Sequence, residues 1–220
     1  MRLIHLARNV FVALSIVLVG TVYAGSLDGA KTLIANLIPG CRFRVTIPKA
    51  ATLVTGPINR DSGGFIVENP RDLKTRLYIE PFRLGFECVD ATDGNVNRGW
   101  ATFDNTLGRW QANLDPDEVP KRNKSARLYQ LQNVNSTGWA ITIDDVIGEE
   151  FARGRVLHYC LVRPPKALCG HGDMAQLIDH SRKADLTPYG LKILRSIEFL
   201  DTPVTASQTD PASAASSSSR

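Results

Sequence analysis

Two short segments, CRFRVTIP starting at Cys41 and FRLGFEC ending at Cys88, alternate apolar and polar residues with a period of two. In the first, Cys41, Phe43, Val45 and Ile47 share one side while Arg42, Arg44 and Thr46 take the other. In the second, Phe82, Leu84, Phe86 and Cys88 oppose Arg83, Gly85 and Glu87. Successive side chains of a strand point to opposite faces, so each segment reads as a half-buried strand whose cysteine lies inward. Antiparallel pairing of the two in one register sets Cys41 against Cys88, Phe43 against Phe86, Val45 against Leu84 and Ile47 against Phe82. A slip of one residue would turn a whole set outward. The predicted bond is therefore Cys41–Cys88, which leaves Cys160 and Cys169 as a local staple across the Pro164-Pro165 corner.

Disulfides need an oxidising compartment, and the first residues point to one. MRLIHLARN carries Arg2 and Arg8 without an acid, VFVALSIVLVGTV is apolar, and Val22-Tyr23-Ala24 offers a small-residue cut. That is the pattern of a signal peptide over 1–24, and the apolar run is shorter than the roughly 20 residues of a spanning helix. The expected location is periplasmic or secreted, with no membrane span after cleavage. Of 26 Lys and Arg, Arg2 and Arg8 leave with the leader, so 24 stand against 22 Asp and Glu. So small an excess gives no reason to expect nucleic acid as a partner.

A single domain is expected over 25–201, followed by a Ser/Ala/Pro-rich tail over 202–220 that lacks the apolar residues needed to order it. SLDGAKTLIANLIPG places Leu27, Ala30, Leu33, Ile34 and Leu37 at helical spacing, with Ser26 as cap and Pro39-Gly40 as stop, which predicts an N-terminal helix. Strands are predicted at 64–68, 76–80, 98–104 with 109–114, 127–132 with 138–144, and 154–163. RVLHYCLV, apolar on both faces, reads as a central strand. Two C-terminal helices are predicted, one opening at Asp173 with Gln176 as a capping box, the other at Thr187-Pro188 with Leu191, Leu194, Ile197 and Leu200 on one stripe. The expected class is α+β: mainly antiparallel β-sheet, with an N-terminal helix and C-terminal helices packed on it, and two disulfides.

Candidate chemistry is sparse. Cys160 and Cys169 are too far apart for a C-x₂₋₄-C zinc pair, and His171 and His180 miss the i, i+4 spacing that puts two imidazoles on one helical face. His158, on the same strand face as Cys160, reads as a hydrogen-bonded core histidine. No G-x-S-x-G, S-x-x-K or phosphate-binding glycine motif occurs. Asp144, Asp145, Glu149 and Glu150 lack EF-hand spacing and read as a solvated turn. Trp100, Trp110 and Trp139 fall on predicted strands as core or sheet-face residues, and Asn135-Ser136-Thr137 is a glycosylation sequon. No cofactor is expected. The charged loop DPDEVPKRNK, with Asp115, Asp117, Glu118, Lys121, Arg122 and Lys124, is the candidate interface.

These features lead to the expectation of an exported, non-catalytic protein that binds another protein in the cell envelope or outside the cell, such as an inhibitor or immunity-type protein. The alternative is a small exported hydrolase or metal-assisted enzyme using the Asp144/Asp145 or His171/His180 region.

Overall fold

The computed structural model describes residues 29–55, 62–67, 81–114, 125–145, 149, 153–176 and 185–200. The leader, the 76–80 strand, the 115–124 loop, His180 and the 202–220 tail lie outside them. Twelve strands are described: β1 (Lys31–Asn36), β2 (Arg42–Ile47), β3 (Thr52–Thr55), β4 (Ser62–Val67), β5 (Phe82–Asp90), β6 (Ala101–Asp104), β7 (Arg109–Ala112), β8 (Arg127–Gln132), β9 (Thr137–Asp144), β10 (Gly154–Arg163), β11 (Lys166–Gln176) and β12 (Glu198–Phe199). Two helices join them, α1 (Asp93–Asn97) and α2 (Thr187–Arg195).

All strand pairings among the described residues are antiparallel. The strands form a seven-stranded sheet in the order β3-β4-β5-β11-β10-β9-β8, a three-stranded sheet β1-β2-β12, and the hairpin β6-β7. The inner face of the large sheet packs on the small sheet. Phe82, Leu84, Phe86, Leu157, Tyr159 and Leu161 from the first share one core with Phe43, Val45 and Ile47 from the second, and Leu191, Ile193 and Leu194 of α2 complete it. The outer face carries a second core, in which Trp139, Ile141, Cys160 and Cys169 are covered by Val96 of α1 and Trp110 of β7.

The α+β expectation is overturned. Of the described residues, 59% are in strands and 11% in helices. The segment expected as an N-terminal helix is β1, because Lys31–Asn36 runs antiparallel to β2, with Leu33 opposite Val45 and Ala35 opposite Phe43. The residues expected as a capping box continue β11 instead, Asp173 lying opposite Val156. The α2 helix stands where expected, but its first residue is Thr187 and its cap differs. Leu186 occupies the N-cap without a side-chain bond, and the Asp185 carboxylate accepts the Thr187 N–H at 2.9 Å.

Both expected disulfides are present, and one has a different geometry from that expected. Cys41 immediately precedes β2 and Cys88 lies on β5, strands of different sheets, so the bond crosses the core between layers, with a Cα–Cα distance of 6.2 Å. Phe43 does meet Phe86, ring centres 5.5 Å apart in an edge-on, nearly perpendicular contact, but across the core between the sheets. Inward-pointing sets of two packed sheets meet as well as those of paired strands do, and this is why the alternation identified the right partners. Cys160–Cys169 is a direct cross-strand pair of the β10–β11 hairpin, closed by a cis Pro164-Pro165 peptide. Such bonds fit an oxidising, extracytoplasmic location. Among the described residues no helix is long and apolar enough to cross a membrane.

Candidate functional site

The outer face of the large sheet holds the densest group of chemistry-bearing side chains among the described residues. One row of cross-strand neighbours runs Val54, Gly64, Gly85, His171, His158, Ile141, Leu128. Two glycines in succession leave that row without side chains just beside His171. At Gly85 an added Cβ would meet only backbone oxygens at ordinary contact distance, 3.5 and 3.9 Å. The sheet beside the two imidazoles therefore carries no side chain from that row at two successive strands.

His158 and His171 stand directly opposite one another on β10 and β11, two residues along from the Cys160–Cys169 pair. The Cα atoms of that cysteine pair are 4.0 Å apart, which marks the closely spaced, non-hydrogen-bonded type of antiparallel pair. The type repeats every second residue, so the histidines belong to it too. Their ring centres are 6.0 Å apart. Trp100 stacks on His158 with a centre-to-centre distance of 4.5 Å and a tilt of 20°. His158 is half-buried and His171 is exposed.

The α1 segment sets the position of Trp100. Trp139 donates its indole N–H to the Val96 carbonyl at 3.0 Å, pinning the helix to the sheet. Arg98 then adopts a left-handed conformation, φ 46°, at the end of α1, and its guanidinium pairs with Glu87 on β5. Asn95 further donates to the Asp90 carbonyl at 3.1 Å. The turn Asn97–Trp100 is thereby held over the hairpin that carries the histidines.

Of the acidic residues, Glu150 lies outside the described residues, and Asp144 departs from the expected solvated turn. Asp144 receives both Nε and Nη2 of Arg155, at 2.7 and 3.0 Å, and the same guanidinium reaches Asp185 at 2.8 Å. The hydrogen bond to Asp144, ahead of the attraction of both carboxylates, holds Arg155 protonated above its ordinary range, against the cost of burial. Arg155 thus ties the ends of β9 and β10 to the cap of α2. Asp145 donates its backbone N–H to the Gly154 carbonyl at 2.7 Å, and Glu149 is exposed. His171 is brought to His158, while His180 and the interface candidates Asp115, Asp117, Glu118, Lys121, Arg122 and Lys124 fall outside the described residues. Trp110 and Trp139 are buried in the outer core, as expected for sheet-face residues.

Sequence reasoning missed the histidine pair, although its signal was present. Once Cys160 and Cys169 are bonded across a hairpin, the residues two steps outward, His158 and His171, must also oppose one another.

No protein-family model and no curated protein matches the chain. A crystal structure from Bacteroides thetaiotaomicron VPI-5482 aligns over 79% of this chain and 49% of its own, with 12% identity and a TM-score of 0.43. The chain therefore spans about half the length of that structure, and a likeness at this level carries no argument about function.

Proposed function

We propose that the chain is an exported, non-catalytic protein, periplasmic or secreted, that acts by binding another protein, as inhibitors and immunity-type proteins do. The observation that carries this reading is the β6–β7 hairpin, an element hydrogen-bonded to β8 with apolar side chains turned to solvent. Gln130 of β8 accepts the Trp110 N–H at 3.0 Å and donates to the Trp110 carbonyl at 2.9 Å, so one side-chain amide takes the place of a neighbouring strand. At the turn, Asp104 accepts the N–H groups of Thr106 and Leu107 at 2.8 and 3.0 Å. From this base Phe103 is 40% exposed and Leu107 54% exposed, with Phe103 set edge-on against Trp110. An aromatic and an aliphatic side chain on a fixed support lose little entropy on docking, which is the character of binding hot spots.

The enzymatic alternative finds less support. Of the residues it names, Asp144 spends both oxygens on Arg155, Asp145 is exposed, and His180 lies outside the described residues. The test is capture from envelope and culture-medium extracts with the immobilised oxidised chain, in wild-type form and as Phe103→Ser/Leu107→Ser. Retention of one stoichiometric protein by the wild type and its loss with the double variant is the expected result. An empty wild-type column, or equal retention by both, would refute the reading.

A further inference from the structure

We propose that His158 and His171 form a binding site for a divalent transition-metal ion with a preference for imidazole, Cu²⁺ before Zn²⁺. The inference stands apart from the protein-binding reading and survives its failure.

Geometry is the first support. Imidazole nitrogen binds such ions at about 2.0–2.1 Å, which puts the ion about 3.2 Å from each ring centre; two rings sharing one ion then lie about 5.2 Å apart at a tetrahedral angle and about 6.4 Å apart in line. The observed separation is 6.0 Å. Both side chains rise from a closely spaced cross-strand pair, whose backbone the disulfide two residues away holds in register. The arrangement is therefore preorganised, and an ion need not order the chain in order to bind.

The surroundings supply the second support. Trp100 braces His158 by stacking. On the other flank Gly85 lies opposite His171 and brings no side chain. Among the described residues no third His, Cys, Asp or Glu joins the pair, and the four cysteines are bonded to one another. The site thus offers two imidazole ligands. Imidazole suits copper, nickel and zinc, and affinity at such a site rises to its maximum at Cu²⁺.

The experiment titrates the oxidised, untagged chain with Cu²⁺ and separately with Zn²⁺, following binding by calorimetry and, for Cu²⁺, nitrogen hyperfine structure in the electron paramagnetic resonance spectrum. One Cu²⁺ per chain with two nitrogen ligands is expected, accompanied by quenching of Trp100 fluorescence. Trp100→Phe should keep the ion and lose most of the quenching. Outer partners of bound metals are already worth about 10- to 100-fold in affinity, so His158→Ala and His171→Asn should each weaken binding at least tenfold, while His180→Ala leaves it unchanged. Because His171 is exposed, its variant tests the site even if His158→Ala misfolds. Absence of saturable one-to-one binding, binding retained in His171→Asn, or loss confined to His180→Ala would overturn the proposal.

Discussion

At the scale of single residues, the inner core depends on a row in which large and small side chains alternate across strands: Gly63, Phe86, Gly170, Tyr159, Ala140, Tyr129. Gly170 belongs there because a Cβ would overlap the Gly85 carbonyl oxygen of the neighbouring strand. Tyr159 is fully buried, and its hydroxyl donates to that same carbonyl at 3.1 Å. Gly170→Ala is expected to cost about 2–4 kcal/mol, read from urea denaturation, since the overlap is with backbone and cannot be relieved by a rotamer change. Tyr159→Phe removes the donor and should cost about 1–2 kcal/mol by the same measurement. Burial also pushes the Tyr159 phenol well above its ordinary range. In the unfolded chain it ionises near pH 10, whereas in the fold it keeps its proton, so the native state binds more protons there and stability falls as pH rises through that value. The Tyr159→Phe variant should show a flatter alkaline limb when its stability is compared with wild type between about pH 9 and 11.

At the scale of elements, the β6–β7 hairpin shows how much an outlying piece rests on few bonds. Gln130→Ala removes both hydrogen bonds to the Trp110 backbone and should speed amide exchange throughout Ala101–Ala112 while leaving β10 protected, a local opening and not a global one. The Asp104 carboxyl is held below its ordinary range, chiefly by the Leu107 N–H. Its turn is therefore fully supported above the ordinary carboxylate range and loosens as pH falls through the lowered value. This hairpin was legible in the sequence, because its turn residues Asn105–Gly108 and flanking alternation are local signals, and so was the doubly buried β10. The β1 strand was not. In KTLIAN, Leu33 and Ala35 satisfy a period of two, yet Leu33, Ile34 and Leu37 satisfy a helix equally well, and what decides is the edge of β2, which lies beyond the segment. In the same way Asp173 and Gln176 carry a genuine capping pattern that loses to the ladder with β10. Of the candidate site, the histidines were visible as residues, but their juxtaposition required the hairpin register.

At the scale of the whole molecule, the two disulfides do different work. The Cys160–Cys169 bond joins neighbours within a hairpin that is already closed by a two-residue turn, with 9 residues of sequence separation. The Cys41–Cys88 bond ties the small sheet to the large one with a separation of 47. Among the described residues no backbone ladder joins those two layers; side-chain packing, the two hydrogen bonds between Asn135 and the Phe199 backbone, and this bond hold the small sheet to the large one. In the chain-entropy account the longer closure contributes about 4 kcal/mol and the shorter a little under 3 kcal/mol, against a typical total of about 5–15 kcal/mol for a domain. Cys41→Ser/Cys88→Ser should therefore lose more stability in urea than Cys160→Ser/Cys169→Ser, and only the first should also loosen α2 and β12, which pack with the small sheet. Residue-resolved hydrogen exchange separates the two: faster exchange at Leu191–Leu194 and Phe199 in the first double variant, and at Leu161–Leu168 in the second. Equal losses with the same exchange pattern would mean that packing and the Asn135 hydrogen bonds hold the sheets together, and that the inter-layer bond adds no constraint of its own.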